Sequence, residues 1–312
     1  MDQLGGLHHV TAITGDARGN AAFYTGMLGM RLVKKSVNQD DTTAYHLFYA
    51  DNEGSPGTDL TFFDWPATPA NQVGVPSIGP IALRVASQES LGWWQSRFAE
   101  HGVQHVPLLD DQHGERLSFT DPEGQRLQLV VDSGAPGGRP WLQGPVPAQH
   151  QIRGLHGATL MSARPDRTIG FLVDVLGFRP RPAEATGGQH SFEVGAGGPG
   201  TELNVQAGGG VLGRQGRGGV HHVAFRVPDE AAQLEWVGRL RSAGLPTTDV
   251  IDRYYFKSVY FREPGGNLFE LATDGPGFTV DEPVSELGQR LALPPFLEGR
   301  RREIEAGLQP IT

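Results

Sequence analysis

No cysteine occurs anywhere in the chain, so disulfides, cysteine nucleophiles and thiolate metal ligands are excluded together. Any metal must be held by His, Asp, Glu or backbone oxygen. There is no apolar run long enough to cross a bilayer, and the opening MDQLGG lacks both the basic and the apolar part of a signal peptide. A cytoplasmic protein with no membrane partner is expected. Basic charge is also scarce: 26 Lys and Arg face 35 Asp and Glu, a formal charge of -9. No basic face is left to neutralise phosphates, which excludes a nucleic-acid partner. The 312 residues are 38% hydrophobic and 20% charged, enough to bury the cores of two domains and far from a disordered composition.

What the chain does have is punctuation and repetition. Its 44 Gly and 23 Pro fall in short clusters such as GSPGT, DPEGQ, GGPGT and EPGGN, the pattern of many turns between short strands. FYTGMLGMRL at 23–32 matches FLVDVLGFRP at 171–180, and WQSRFAEHGV at 94–103 matches WVGRLRSAGL at 236–245. DPEGQRLQLVVD likewise stands beside EPGGNLFELATD. Each half of the protein thus resembles the other and holds two related units. Every unit begins with an apolar strand (LHHVTAIT, PIALRVAS, LHGATLMS, VHHVAFRV), continues into a helix and ends in strands joined by tight turns. In ESLGWWQSRFAEHG the apolar Leu91, Trp94 and Phe98 recur at helical spacing and Gly102 ends the helix. The expected fold is α+β, with four βαβββ modules forming two curved-sheet, barrel-like domains. The expected boundaries are 1–135 for two modules, 136–153 for a Gly- and Pro-rich linker, 154–274 for two more modules and 275–312 for a tail. In the tail, FLEGRRREIEAG reads as a short helix that packs across a cavity mouth.

Two opening strands begin with paired histidines. Aligned on the glycine or proline before each strand, His8 and His9 fall level with His221 and His222. The third unit has His156 and Gly157 there, and the second has Ile81 and Ala82. Alternate residues of a strand face opposite sides of the sheet. Only His9 and His222 therefore share the second register, with His156 in the first. Glu270 lies inside the apolar strand of EPGGNLFELATD, where the equivalent unit has Gln128. A carboxylate pointing into a barrel is costly unless a cation meets it. A single histidine is ordinarily structural, and a buried Glu ordinarily pairs with Arg or a backbone N–H. The repeated register favours a metal instead, held by His222, Glu270 and a histidine of the unit that pairs with theirs. Two imidazoles and a carboxylate on one side of an ion leave positions open, as non-haem Fe(II) oxygenases require. Mn(II) or another divalent metal such as zinc is also compatible with these ligands. Arg253 and Tyr260, in DRYYFKSVYFREPGG, are read as able to line the same cavity, although packing alone would also account for them. His46 and His190 are read as structural.

Together, LHHVT, YHLFYADNEGSPGT, GVHHVAFRVPD and EPGGNLFELATD resemble the vicinal-oxygen-chelate superfamily of glyoxalase I and the extradiol dioxygenases. More narrowly, nearly the whole chain is similar to the ring-cleaving dioxygenases that open hydroquinones and chlorohydroquinones. The resemblance implies the glyoxalase/bleomycin resistance/dioxygenase fold and an Fe(II) ion on His9, His222 and Glu270. It carries catalytic roles around the metal to His8, Thr11, His221, Arg253 and Tyr260. Catechol-cleaving relatives take the first ligand from the third unit, where this chain has Gly157. The implied activity is an oxidoreductase of extradiol type that opens a small aromatic diol with O2, in a protein compatible with a homo-oligomer. The alternatives are a metal-dependent isomerase or lyase on the same scaffold and a protein that only binds an aromatic compound. The isomerase would need a second carboxylate, and the level position near Thr61 offers none.

Overall fold

The computed structural model describes residues 3–108, 116–181 and 188–311. The first module opens with β1 (Leu7–Thr14), turns through α1 (Ala17–Ala21) and continues in β2 (Arg31–Val37), β3 (Tyr45–Ala50) and β4 (Asp59–Asp64). The second contains β5 (Ser77–Val85), α2 (Gln88–His101), β6 (Arg116–Thr120) and β7 (Arg126–Val131). Ahead of β6, His105 makes a single bridge to Phe119 where the other modules have a strand. The third has β8 (Leu155–Ser162), α3 (Pro165–Asp174), β9 (Arg179–Pro180), β10 (Gln189–Glu193) and β11 (Glu202–Ala207). The fourth has β12 (Gly219–Val227), α4 (Glu230–Ser242), β13 (Ile251–Asp252), β14 (Lys257–Arg262) and β15 (Leu268–Thr273). This is the α+β repeat that the sequence predicts.

Local chemistry accounts for the elements. At the start of α2 the Ser87 hydroxyl accepts from the Ser90 N–H, and Gly102 ends the helix at φ +68. Between these caps Leu91, Trp94 and Phe98 are fully buried on one face. In α4 the Asp229 carboxylate caps the Ala232 N–H at 2.9 Å. Every residue of β1 is buried, so its two faces both meet protein.

Among the described residues the strands form two sheets, β13-β14-β15-β12-β1-β4-β3-β2 and β6-β7-β5-β8-β11-β10-β9. The first joins modules one and four, and the second joins modules two and three. Each sheet therefore takes one module from each half of the chain, and the sheets cut across the division at 136–153. The centre of each is an antiparallel pair of opening strands, β1 with β12 or β5 with β8, flanked by parallel closing strands. The first sheet's central pair carries both double histidines.

The tail does not cross the cavity mouth as expected. Its helix α5 (Arg301–Gly307) follows a 3-10 turn over Pro295–Arg300, and Leu293, Leu297 and Ile304 join the core. Upstream of it, Phe278 packs on Phe48 and Tyr255, with ring centres 5.0 and 5.4 Å away. The fully buried Lys34 is ion-paired with Asp281 at 2.7 Å and with Glu282. These contacts back the wall of the histidine pocket, and no tail residue lines it. Among the described residues no helix is long and apolar enough to cross a membrane.

Candidate metal centre

Strand register brings the three predicted ligands together. In the antiparallel pair, Thr11 lies opposite His222 and His9 opposite Ala224. Across the next ladder Ala224 lies beside Glu270, and Glu270 in turn lies opposite Tyr260. Their side chains share the concave face. His9 Nε2 and His222 Nε2 are 3.2 Å apart, and Glu270 Oε2 is 3.2 Å from the first and 2.8 Å from the second. All three residues are buried, and among the described residues they form the one such cluster compatible with a metal ion. The other carboxylate oxygen, Oε1, accepts a 2.6 Å hydrogen bond from Ser258. One oxygen and two imidazole nitrogens therefore converge from one side.

The hydrogen-bond pattern fits a cation. His9 Nδ1 lies 2.9 Å from His8 Nδ1, and His222 Nδ1 lies 2.7 Å from His221 Nδ1. Burial first, then the neighbouring histidine, pushes His8 down to about 3, against the pull of Glu270. His221 is likewise lowered to about 3 by burial and by His222. Both rings are neutral near pH 7. With Nδ1 of each ligand held by the neighbouring histidine, Nε2 of His9 and of His222 is the ring nitrogen that faces Glu270, as a ligand must. Burial also lowers His222, against the pull of Glu270. For Glu270 itself burial acts upward, but His9 and His222 outweigh it and hold the carboxyl well below the usual range. A buried carboxylate and two imidazole nitrogens aimed at one point suit a divalent ion.

Strict alternation would put His8 and His221 on the opposite face, and two β-bulges correct this. Between Leu7 and His9 strand β1 advances two residues while β12 advances one, and between His222 and Val220 the excess lies on β12. His8 and His221 are the extra residues, turned to bond the ligands beside them. The second sheet corrects the alignment of module two. Ala82 lies beside Gln128 as Ala224 lies beside Glu270, so Gly79 and Pro80, not Ile81 and Ala82, stand level with His221 and His222. Where the first sheet has His9, His222 and Glu270, the second has Gly157, Pro80 and Gln128. A Cβ on Gly157 would come within 2.8 Å of the Glu202 carbonyl oxygen, so no histidine fits there. His156 bonds Glu202 instead, at 3.1 Å.

The triad opens on an aromatic pocket lined by Phe48, Phe63, Tyr255, Phe256 and Tyr260 together with Arg253. Arg253 lies in a turn between β13 and β14, where Tyr254 adopts φ +70, not in the strand expected for it. Its guanidinium bonds Asp40 at 2.7 and 3.1 Å and lies 5.8 Å from the Tyr260 ring centre. Burial opposes its charge, but Asp40 and Tyr260 more than offset that. Burial, then Glu270, raises the Tyr260 hydroxyl above its usual range. All eight predicted site residues thus gather at one place. Four more were not read as functional: Asp40, His46, Thr61 and Ser258. His46, read as structural, lines the pocket. Parity with Tyr260 was the available signal for Ser258, whereas His46 and Thr61 become neighbours only through the pairing of β3 with β4. His190 is exposed on β10.

Residues 6–129 and 154–271 match the Glyoxalase/Bleomycin resistance protein/Dioxygenase superfamily. The chain belongs to that superfamily. MhqA of Bacillus subtilis (strain 168), provisionally named a ring-cleaving dioxygenase, is 46% identical over 99% of both chains. The chlorohydroquinone/hydroquinone 1,2-dioxygenase of Sphingobium indicum is 32% identical over 97% of this chain and 95% of that protein. A crystal structure of a protein from Bacillus subtilis subsp. subtilis str. 168, provisionally named a dioxygenase, superposes with a TM-score of 0.90. It is 36% identical, covering 99% of this chain and 98% of the other. The superfamily assignment agrees with the paired modules and with a site between opening and closing strands.

Proposed function

We propose that this protein is an Fe(II)-dependent dioxygenase that opens the ring of a hydroquinone- or catechol-type diol with O2. The observation that carries the reading is the one-sided triad. His9, His222 and Glu270 Oε2 approach from the sheet, Ser258 occupies Oε1, and the facing side is an aromatic pocket. Such a donor set leaves room for a diol and O2 together. His9, His222 and Glu270 would hold the metal, with Mn(II) the alternative occupant. Bound there, Fe(II) supplies the electron exchange with O2 that a closed-shell diol cannot make unaided.

The chain's own groups prepare that chemistry. Phe48, Phe63 and Phe256 hold a flat ring and exclude water. Neutral His8 and His221 fix the ligand rings through Nδ1. The Arg253 charge lies where negative oxygen would develop. Tyr260 stays protonated and donates a hydrogen bond to a substrate oxygen. Both atoms of O2 enter the opened product, beside the ring hydroxyl. The isomerase alternative is weakened because Thr61, at the level where a second carboxylate would serve, bonds Thr11 at 2.9 Å.

The test is anaerobic loading with Fe(II), then addition of air and a panel of hydroquinones and catechols while O2 uptake is followed. Uptake with at least one diol, abolished in Glu270→Gln, is the expected result. Turnover of a thiol hemiacetal, with no uptake on any diol, would replace this reading with the isomerase.

A further inference from the structure

Of the buried side chains whose polar atoms find no partner among the described residues, Ser36 alone lines the aromatic pocket. It is 2% exposed, and its hydroxyl neither donates nor accepts a hydrogen bond there. A hydroxyl taken out of water without a partner is costly, so a bound molecule that supplies one would be favoured at this place. Register turns the serine toward the pocket. Ser36 of β2 stands opposite His46 of β3, as Lys34 stands opposite Phe48, and directly opposed residues share a face of the sheet. His46 and Phe48 line the pocket with ring centres 3.9 Å apart. Two residues on, the buried Asn38 also lines it. The Asn38 Oδ1 accepts from the Asp40 N–H at 2.9 Å, and its Nδ2 has no partner among the described residues.

The distance from the triad follows from the strands between. From His222 Nε2 to Thr11 Oγ1, Thr61 Oγ1 and His46 Nε2 the steps are 3.0, 2.9 and 3.0 Å, so His46 lies at most about 9 Å from the ligand nitrogen. Ser36 is one strand further round the curved sheet, and neighbouring strands are roughly 5 Å apart. The stretch between is aromatic, because Phe48 and Phe63 flank the His46 ring at 3.9 and 4.5 Å. The triad and Ser36 thus stand at two ends of one pocket with room for a flat ring between them. A ring with polar groups on opposite sides reaches both ends. Two adjacent hydroxyls would both lie at the triad and leave Ser36 bare.

We propose that Ser36 is a positioning residue that hydrogen-bonds the hydroxyl on the side of the bound ring away from the triad. That the ligand is an aromatic diol rests on the ring-cleavage reading; the place of Ser36 in the pocket does not. A serine hydroxyl is both donor and acceptor, as is a phenolic hydroxyl, so the two can pair whichever donates. Asn38 Nδ2 offers a further donor on the same face. A ring with hydrogen at that position would leave Ser36 unpaired, and a site built to bond a hydroxyl rejects the analogue that lacks it. Held at both ends, the ring cannot turn in its own plane, which fixes the carbon that faces the open side of the triad.

The experiment is calorimetric titration of Mn(II)-loaded protein without O2, with hydroquinone, catechol and phenol as the probes. The wild type should bind hydroquinone about 3- to 10-fold more tightly than phenol, the range that one hydrogen bond contributes. Ser36→Ala should remove that advantage while its affinities for phenol, catechol and Mn(II) stay at the wild-type values, which also shows that the variant is folded. An advantage retained in Ser36→Ala would mean that water, not the ring, partners the hydroxyl, and would overturn the proposal. Equal weakening of all three ligands, or a wild type that binds hydroquinone no better than phenol, would overturn it too. If the titrations come out as expected while the Fe(II) protein consumes no O2 with any diol, the ring-cleavage reading fails and the assignment of Ser36 stands.

Discussion

Glu270 carries the most consequence of any residue in the chain. It is an acid in an apolar strand, fully buried, with one oxygen aimed at two histidines and the other held by Ser258 at 2.6 Å. That division keeps the carboxylate single-toothed and its orientation fixed. Ser258→Ala should therefore weaken Fe(II) or Mn(II) binding by about 10- to 100-fold, the usual cost of losing a partner that orients a ligand. Titration of the metal-free variant against Mn(II) measures this, and unchanged affinity would mean that the hydroxyl does not position the ligand. At this scale the sequence was legible where chemistry repeated. His9 and His222 stand in matching contexts, and an unpartnered acid inside a strand needs a reason. Ser258 and Thr61 were not legible, because a small hydroxyl residue in a strand is ordinary until its neighbour across the ladder is known.

Among the elements, the bulges in β1 and β12 turn a histidine pair into a ligand and its supporting neighbour. A bulge belongs to a pair of strands, so no single-strand periodicity reveals it. The same limitation misaligned module two: Pro80 occupies the place of His222, visible only once Ala82 is seen beside Gln128. Helix α2 was readable because its caps and apolar spacing are local. Across the pocket, the segment after β2 is clasped to the turn before β14. Asp40 accepts from Arg253, and the Gln39 amide donates to the Arg253 carbonyl at 2.8 Å. Asp40 is largely exposed, so the pair contributes at most about 1 kcal/mol. Asp40→Asn should raise KM for a diol about two- to fivefold, the equivalent of that energy, with metal affinity unchanged. Steady-state kinetics beside a metal titration separate the two effects.

For the whole molecule, the site joins the first and last modules of the chain, so forming it requires the full fold. The repeat was readable in the sequence, but which modules share a sheet was not, because the four opening strands have similar apolar patterns. Burying neutral His8 and His221 in that shared sheet makes stability depend on pH. Both have folded-state values near 3, below the unfolded value near 6.5. The unfolded chain binds more protons between those values, so their contribution is present above pH 6.5 and lost as pH falls toward 3. One unit below 6.5 the metal-free protein should have lost about 1.4 kcal/mol per histidine. Urea midpoints from pH 7.5 to 5.5 would reveal it, and His8→Gln should remove about 1.4 kcal/mol of the loss. A flat profile would mean that these rings are not buried neutral.

The most direct measurement is ring opening under labelled oxygen. Protein loaded with Fe(II) under anaerobic conditions is given 18O2 and a hydroquinone, and the product is analysed by mass spectrometry. The account predicts an open-chain product carrying both labelled atoms, absent with Glu270→Gln. An unlabelled product, or label incorporated equally well by Glu270→Gln, would contradict it.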